Sequence, residues 1–74
     1  MQSIADLSFD EQAVVVEYDE GDFALSMMQM GIVPGKIVRI IRTAPSGNPI
    51  VLQSGQTRVA IRLEDAQMMK VKTI

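Results

Sequence analysis

Short apolar stretches separated by turn residues run along most of the chain, a pattern typical of a small domain built from β-strands. The clearest stretch alternates, so that Val59, Ile61 and Leu63 point inward while Arg58 and Arg62 point outward. The pattern predicts five strands, which cover residues 13–18, 36–43, 50–53, 57–63 and 69–72. Five short strands with tight turns favour a small, partly open barrel, because closure protects strand edges from pairing with other chains.

The first two predicted strands differ in their patterns. Residues 13–18 are rich in β-branched side chains, and alternation would place Val14, Val16 and Tyr18 on one face. Residues 36–43 are apolar on both faces in places, as expected of a long strand that bends from one sheet layer into another. We therefore expect a bend in this second strand.

One helix is predicted between the first and second strands, over residues 23–30, and a single helical turn over residues 64–67. The stripe predicted to face the core has members at i, i+4 and i+7, which are Phe23, Met27 and Met30. Leu25 and Met28 lie off that stripe, although a helix packed on a barrel buries only one side. We hypothesise that these two residues form a patch for a partner or for self-association; incidental exposure is the alternative.

Glycines and prolines mark the predicted turns. Gly31 suits the position just past the helix, where a positive φ carries no Cβ penalty. Pro34-Gly35 matches the two central positions of a type II turn. Pro45 and Gly47 belong to a hairpin loop, and Pro49, which lacks an amide donor, suits the start of the next strand. We interpret all of these residues as architectural.

The composition excludes most enzyme chemistry. The 74 residues fit one domain, and the absence of Cys and His leaves no disulfide, no thiolate or imidazole ligand and no nucleophile of the usual kind. We therefore expect no catalytic site, no cofactor and no metal centre. No apolar run approaches the roughly 18 residues of a membrane span, so we expect a cytoplasmic protein without membrane insertion.

Charge is distributed unevenly along the chain. Residues 1–35 carry seven acids and no Lys or Arg, whereas residues 36–74 carry all seven bases and two acids, which gives −7 and +5 and a total of −2. One interpretation is that the two parts pack together and screen one another. The other is that Arg39, Arg58 and Arg62 form a basic face for an acidic partner.

The acidic turn before the helix also allows two interpretations. Asp19 or Asp22 can accept hydrogen bonds from the free amides at the helix start. Together with Glu20 they are alternatively hard oxygen ligands for a divalent ion, but iron(II) sites normally recruit imidazole or several converging carboxylates. Capping is the favoured explanation.

The order of these motifs resembles one known family. Residues 30–35 read Met-Gly-Ile-Val-Pro-Gly, residues 37–40 read Ile-Val-Arg-Ile, and residues 44–50 read Ala-Pro-Ser-Gly-Asn-Pro-Ile. Together with residues 59–62, Glu64-Asp65-Ala66 and the Met69-Lys70-Val71 ending, they are similar to FeoA proteins from residue 27 to residue 71. The family usually has basic residues where Leu25 and Ser26 stand, Asp in place of Asn48, and a glycine-containing turn where residues 9–12 stand.

The resemblance implies an SH3-like barrel of the bacterial cytoplasm that is associated with the membrane ferrous iron permease FeoB. On this basis we expect a single FeoA-like domain, an accessory protein that binds the permease or its nucleotide-binding portion. Self-association into a homo-oligomer is also open. The alternative is a nucleic-acid-binding barrel, which an isoelectric point near 4.8, two Phe and one Tyr disfavour.

Overall fold

The computed structural model describes residues 1–74 and consists of one antiparallel sheet with two helices. The strands are β1 (Gln2–Ser3), β2 (Gln12–Tyr18), β3 (Ile37–Thr43), β4 (Ile50–Ser54), β5 (Thr57–Ile61) and β6 (Met69–Thr73). The helices are α1 (Asp22–Gln29) and the short α2 (Leu63–Ala66), and a 3₁₀ turn covers Ile4–Asp6. The predicted mainly β class, with one main helix between two long strands, is confirmed. The structure adds β1, a short strand that the sequence pattern did not indicate.

The six strands follow the order β1-β6-β2-β3-β4-β5, and every neighbouring pair is antiparallel. The register shifts between Val15 and Glu17 in β2, and between Ile40 and Arg42 in β3. Such bulges bend a strand and increase its twist, which lets one sheet curl around a core. The bend predicted for the second long strand is therefore confirmed.

The bulge in β2 changes which of its side chains are buried. Ala13 and Val15 lie in the core, whereas Val16 is exposed and Val14 is only partly buried. Val16 is the extra residue of the bulge, so Tyr18 returns to the core side opposite Met69. The expectation that Val14, Val16 and Tyr18 share one face was wrong, because a strict alternation does not include a bulge.

The core forms one cluster to which β2 to β6, α1 and both ends of the chain contribute. Its members are Ile4, Leu7, Ala13, Val15, Met27, Ile32, Val38, Ile40, Ile50, Leu52, Ile61, Ala66, Met69 and Val71. Ile61 is buried and Val59 packs against the cluster, as the alternation predicted. Leu63 was wrongly assigned to the inward face of this strand. It begins α2 instead, where its side chain is exposed.

A glycine cap ends α1 and changes which apolar residues after the helix reach the core. Gly31 has φ 83°, and its N–H donates to the carbonyl of Met28 at 3.0 Å. The Ile32 N–H donates to the Met27 carbonyl at 3.0 Å, which completes a Schellman motif. The predicted cap is confirmed. Met30 was expected in the core but is 41% exposed, because the chain turns at the cap and Ile32 fills the core instead.

The two predicted proline-glycine turns are present. Gly35 has φ 97° and the Lys36 N–H donates to the Val33 carbonyl at 3.0 Å, which is the geometry of a type II turn with Pro34 at its second position. In the loop between β3 and β4, the Gly47 N–H donates to the Ala44 carbonyl at 2.7 Å. Pro45 lies inside this turn, and Pro49 immediately precedes β4.

Asn48 connects that loop to α2. Its side-chain Oδ1 accepts a hydrogen bond of 3.1 Å from the Leu63 N–H, the first amide of the helix. The amide oxygen therefore does at this position what a carboxylate oxygen would do, without adding a charge.

Candidate partner-binding surfaces

Helix α1 presents an apolar side to solvent. Met27 is 3% exposed in the core, and Phe23 is partly buried against it. On the opposite side Leu25 is 58% exposed and Met28 is 45% exposed. The two lie three residues apart, so their side chains are neighbours along the helix. Their predicted exposure is confirmed; their role in binding stays a prediction.

Met30, just beyond the helix end, extends this exposed apolar area. We refer to Leu25, Met28 and Met30 as the helix surface. No charged residue occurs between Phe23 and Ile32, so the helix surface has none of the charges that normally cover a solvated helix. An uncharged apolar area of this kind is typical of a protein contact.

Tyr18 anchors the helix to the sheet. Its ring meets the ring of Phe23 edge to face, with the ring centres 5.9 Å apart at 75°. Its hydroxyl donates a hydrogen bond of 2.7 Å to the carbonyl of Ile32, just past the helix cap. Burial raises the pKa of Tyr18 to about 12, because the ionised phenolate would lose its hydration there. The helix surface therefore belongs to a firmly held element.

The start of α1 differs from the prediction. The cap residue is Gly21, with φ 144°, and no side chain bonds to the free amides of the first turn. Asp22 is the first residue of the helix, where its charge still favours the positive end of the dipole. Asp19 instead lies 3.7 Å from the ammonium nitrogen of Lys70. The prediction that Asp19 or Asp22 caps the helix with its side chain was wrong.

The acidic turn does not gather into a metal site in this structure. Asp19 is directed to a lysine on β6, away from Glu20 and Asp22. Nowhere do three or more acidic side chains come close enough together to hold an ion. The divalent-ion interpretation therefore has no supporting geometry here.

Two of the three predicted arginines lie on the same sheet face. Arg39 on β3 is opposite Gln53 on β4, which is in turn opposite Arg58 on β5, so the three side chains form one row. The Arg58 Nε donates to the Gln53 Oε1 at 3.2 Å, and one Arg39 nitrogen lies 3.2 Å from a carboxylate oxygen of Asp10. The ends of the row are two strand spacings, or roughly 9.6 Å, apart.

A third arginine joins them that the sequence prediction did not include. Arg42 lies opposite Val51 on β4, which lies opposite the exposed Ala60 on β5, in the next row of the same face. Arg39 and Arg42 share a face because the bulge between them reverses the alternation. We refer to this outer side of β3, β4 and β5 as the arginine face. The position of Arg42 on this face depends on the bulge, and a bulge leaves no reliable signal in the sequence. Sequence reasoning therefore could not place Arg42 there.

Arg62 is separate from the arginine face. It lies at the junction of β5 and α2, where its Nε is 3.3 Å from a Glu64 oxygen and 3.4 Å from an Asp65 oxygen. The prediction that Arg39, Arg58 and Arg62 form a single basic face is therefore corrected. Arg62 follows the strand that carries Arg58, and its charge is matched locally by two acids.

Apolar side chains border the arginine face. Phe9 and Ile41 line a surface groove together with Arg39, Gln53 and Arg58. Phe9 is one of the most exposed apolar residues of the chain. It stands in a turn in which the Glu11 N–H donates to the Ser8 carbonyl at 3.1 Å, and Asp10 has φ 69°. Asp10 thus occupies the left-handed conformation that a glycine would normally provide in such a turn.

The two oppositely charged parts of the chain do meet. Asp10 pairs with Arg39 and Asp19 with Lys70, so two acids of the first half bind bases of the second. Both pairs lie at the surface, and such pairs contribute at most about 1 kcal/mol each. The acidic and basic parts of the chain therefore screen one another through these two ion pairs, while other charges have no partner.

Neither helix has the length and apolar character required to span a membrane. The Tyr18 hydroxyl is engaged by the backbone carbonyl of Ile32. The features that this structure offers for function are thus two surfaces, the helix surface and the arginine face.

Comparison with known proteins identifies relatives of the chain. A sequence model of the FeoA domain matches residues 2–73. A Porphyromonas gingivalis fusion of Fe(2+) transport protein A with the Fe(2+) transporter FeoB is 31% identical over 72 residues, which is 96% of this chain. The chain spans only 8% of the length of that fusion protein.

Solved structures agree with the fold. Stenotrophomonas maltophilia FeoA in complex with zinc, described as a prokaryotic SH3 domain protein, superposes with a TM-score of 0.88 at 27% identity, covering 97% of this chain and 91% of that one. Iron(II) transport protein A from Clostridium thermocellum gives a TM-score of 0.89 at 26% identity, covering 99% of this chain and 46% of that one. The predicted SH3-like architecture is confirmed, and the chain belongs to the FeoA family.

Proposed function

We propose that this chain is a cytoplasmic accessory domain of ferrous iron uptake that binds a FeoB-type permease, through the cytoplasmic nucleotide-binding portion of that permease. The helix surface carries the proposal. It combines three exposed apolar side chains with an absence of charge, on a helix whose opposite side is fixed in the core. Desolvation of such a surface favours association with another protein.

The fusion relative supports the same partner. In the Porphyromonas gingivalis protein, the FeoA part and the transporter are one polypeptide, so the two are held at high effective concentration. With or without such a tether, a surface of the FeoA part must make the contact itself. Leu25 and Met28 are the residues that we assign to this contact.

A pull-down tests the proposal. The folded chain is immobilised and offered the purified cytoplasmic portion of a FeoB-type permease in low and in high salt. We expect capture that persists in high salt, because a largely apolar contact is little screened. Leu25→Glu should weaken capture by about tenfold or more, since it places a charge in the middle of the contact.

Ile37→Glu is the matched control for this experiment. Ile37 lies on β3 and is 52% exposed, close to the value for Leu25, so the same change is made at a similar apolar position outside the helix. Capture should be unaffected by the control. Absence of capture by the folded wild-type chain at every salt concentration, or equal loss with both variants, would contradict the assignment.

A further inference from the structure

The charges that remain after internal pairing are not scattered. Of the nine acids, six are held within the molecule by a backbone amide or a base, namely Asp6, Asp10, Glu11, Asp19, Glu64 and Asp65. The other three have no ion pair or hydrogen bond, and they are Glu17, Glu20 and Asp22. All three lie between the last part of β2 and the start of α1. The free negative charge of the molecule is therefore concentrated at one place.

Half of the free positive charges lie together on another surface. Four of the seven bases make no ion pair, and they are Lys36, Arg42, Arg58 and Lys72. Two of these, Arg42 and Arg58, stand on the arginine face in adjacent rows of the sheet. Arg39 on the same face has only one carboxylate partner, the exposed Asp10. With three guanidinium groups against one carboxylate, this face keeps a net positive charge.

Both places also carry exposed apolar side chains. At the start of α1, Leu25 lies one helical turn beyond Asp22 and is among the most exposed apolar residues. On the arginine face, Phe9 and Ile41 line the groove beside Arg58. We call Glu20, Asp22 and Leu25 the acidic corner. Arg62 lines the same groove as Glu20 and Asp22, but Glu64 and Asp65 match its charge, so the acidic corner stays negative. The acidic corner and the arginine face are thus opposite in charge, and each offers apolar area for a contact.

We propose that the arginine face of one molecule binds the acidic corner of a second copy of the same chain. The two surfaces are different parts of the chain, so the contact is head to tail rather than two-fold symmetric. Arg42 and Arg58 pair with Glu20 and Asp22 of the next molecule, while Phe9 covers its Leu25. Because one molecule carries both halves of the contact, association continues from copy to copy with rising concentration.

A nucleic acid fits the arginine face less well than an acidic protein surface. Asp10 stands in the same groove and pairs with Arg39, so only Arg42 and Arg58 remain without a carboxylate partner, too few for a continuous row of phosphates. A compact acidic corner, in contrast, needs only a few guanidinium groups.

The proposed self-association has a consequence for the permease contact. Leu25 belongs to both the helix surface and the acidic corner, so a molecule whose acidic corner is occupied has part of its helix surface covered. Self-association and permease binding therefore compete. The arginine face lies outside the helix surface. Reversing the charges of the arginine face should therefore remove self-association and leave permease binding intact.

Charge reversal on each side tests the contact. One variant carries Arg42→Glu and Arg58→Glu, and the other carries Glu20→Lys and Asp22→Lys. All four residues are exposed, and circular dichroism establishes that each variant is folded. Sedimentation velocity is measured from roughly 10 μM to 1 mM protein, in roughly 20 mM and 500 mM salt.

We expect the wild-type chain to rise above its monomer mass of 8.1 kDa in low salt and to return to it in high salt. Each variant alone should stay monomeric, because both of its surfaces then carry the same sign. An equimolar mixture should associate again, since the reversed surfaces match one another. The Arg42→Glu, Arg58→Glu variant should still be captured by the permease portion.

Several results would overturn the proposal. The wild-type chain could stay monomeric at every concentration. The charge-reversed variants could associate as the wild type does, or their equimolar mixture could remain monomeric. Association that survives charge reversal but is lost in Leu25→Glu would show a symmetric apolar dimer instead. Salt-sensitive RNA binding by a monomeric chain would assign the arginine face to a nucleic acid. Capture by the permease portion is measured separately with the Arg42→Glu, Arg58→Glu variant, whose helix surface is unchanged, so failure of self-association and failure of permease binding are distinguished.

Discussion

At the scale of single residues, Tyr18 has the widest structural influence. It lies at the end of β2 opposite Met69, its ring contacts Phe23 at the start of α1, and its hydroxyl binds the Ile32 carbonyl after the end of α1. One side chain thus fixes both ends of the helix against the sheet. The position of the helix surface depends on this anchor.

Tyr18→Phe should lower the free energy of unfolding by about 1 kcal/mol at neutral pH, because it leaves the Ile32 carbonyl without its partner. It should also change the response to alkaline pH. The pKa of Tyr18 is raised from 10.0 to about 12 in the folded state, so the unfolded chain ionises first. The contribution of the neutral phenol is complete below pH 10 and is lost as the pH rises toward 12.

Urea unfolding of the wild type and of Tyr18→Phe across this pH range measures the effect of Tyr18 ionisation. Lysine ionisation affects both proteins alike and cancels in the difference between them. The stability difference between wild type and Tyr18→Phe should shrink as the pH rises from 10 to 12. A difference that stays constant over that interval would contradict burial as the cause of the raised pKa.

At the scale of elements, helix α1 has two functionally different sides. Met27 points into the core and Met28, the next residue, points to solvent. The Schellman cap at Gly31 ends the helix and directs Ile32 into the core, which leaves Met30 outside. The apolar character of the helix therefore serves packing on one side and remains free on the other.

Met27→Ala should lower the free energy of unfolding by about 2–4 kcal/mol, because it removes buried volume from a closed core. Met28→Ala is the matched variant and should change stability by less than about 0.5 kcal/mol. Urea or thermal unfolding distinguishes them. Equal destabilisation by both changes would mean that the outer side of the helix is also packed in solution.

At the scale of the whole molecule, the first residues of the chain complete the core. Strand β1 pairs with β6, and the following 3₁₀ turn contacts α2. Ile4 and Leu7 are buried within the common cluster. Asp6 accepts a hydrogen bond of 2.9 Å from the Ser3 N–H, which closes this turn. The beginning and the end of the chain are therefore coupled.

Ile4→Ala should lower the free energy of unfolding by about 2–4 kcal/mol, since Ile4 is fully buried among residues from distant parts of the chain. The exposed Gln2, two residues before Ile4 on β1, provides the control Gln2→Ala, which should leave stability nearly unchanged. Denaturant unfolding measures both. If Ile4→Ala proved neutral, the N-terminal segment would not be part of the cooperative unit.

Much of the fold was predictable because local rules determine it. Gly31 and Gly35 have the positive φ that their turns require, and each turn was expected at the position where it occurs. The alternation of Met69 and Val71 with lysines predicted the last strand and its buried side. The exposure of Leu25 and Met28 was predictable because both lie off the core-facing stripe, and a helix packed on a barrel buries only one side.

Several of the predictions that failed concern effects of distant residues. A bulge exposes Val16 and buries Val15, and another brings Arg42 beside Arg39. Whether a strand contains a bulge is decided by the strand that pairs with it, so neither is visible in a local alternation. Strand β1 was missed for the same reason, because two residues form a strand only where β6 is available.

The sequence by itself determined the family, the order of five of the six strands with their turns, and the uneven distribution of charge, since these depend on neighbouring residues and on composition. Tertiary structure alone decided which charges pair across the chain and which remain free. Asp19 and Lys70 are far apart in sequence but adjacent in space, whereas Arg62 is held beside its sequence neighbours. The arginine face and the acidic corner exist because charge pairing acts over short distances in space, and only the folded chain sets those distances.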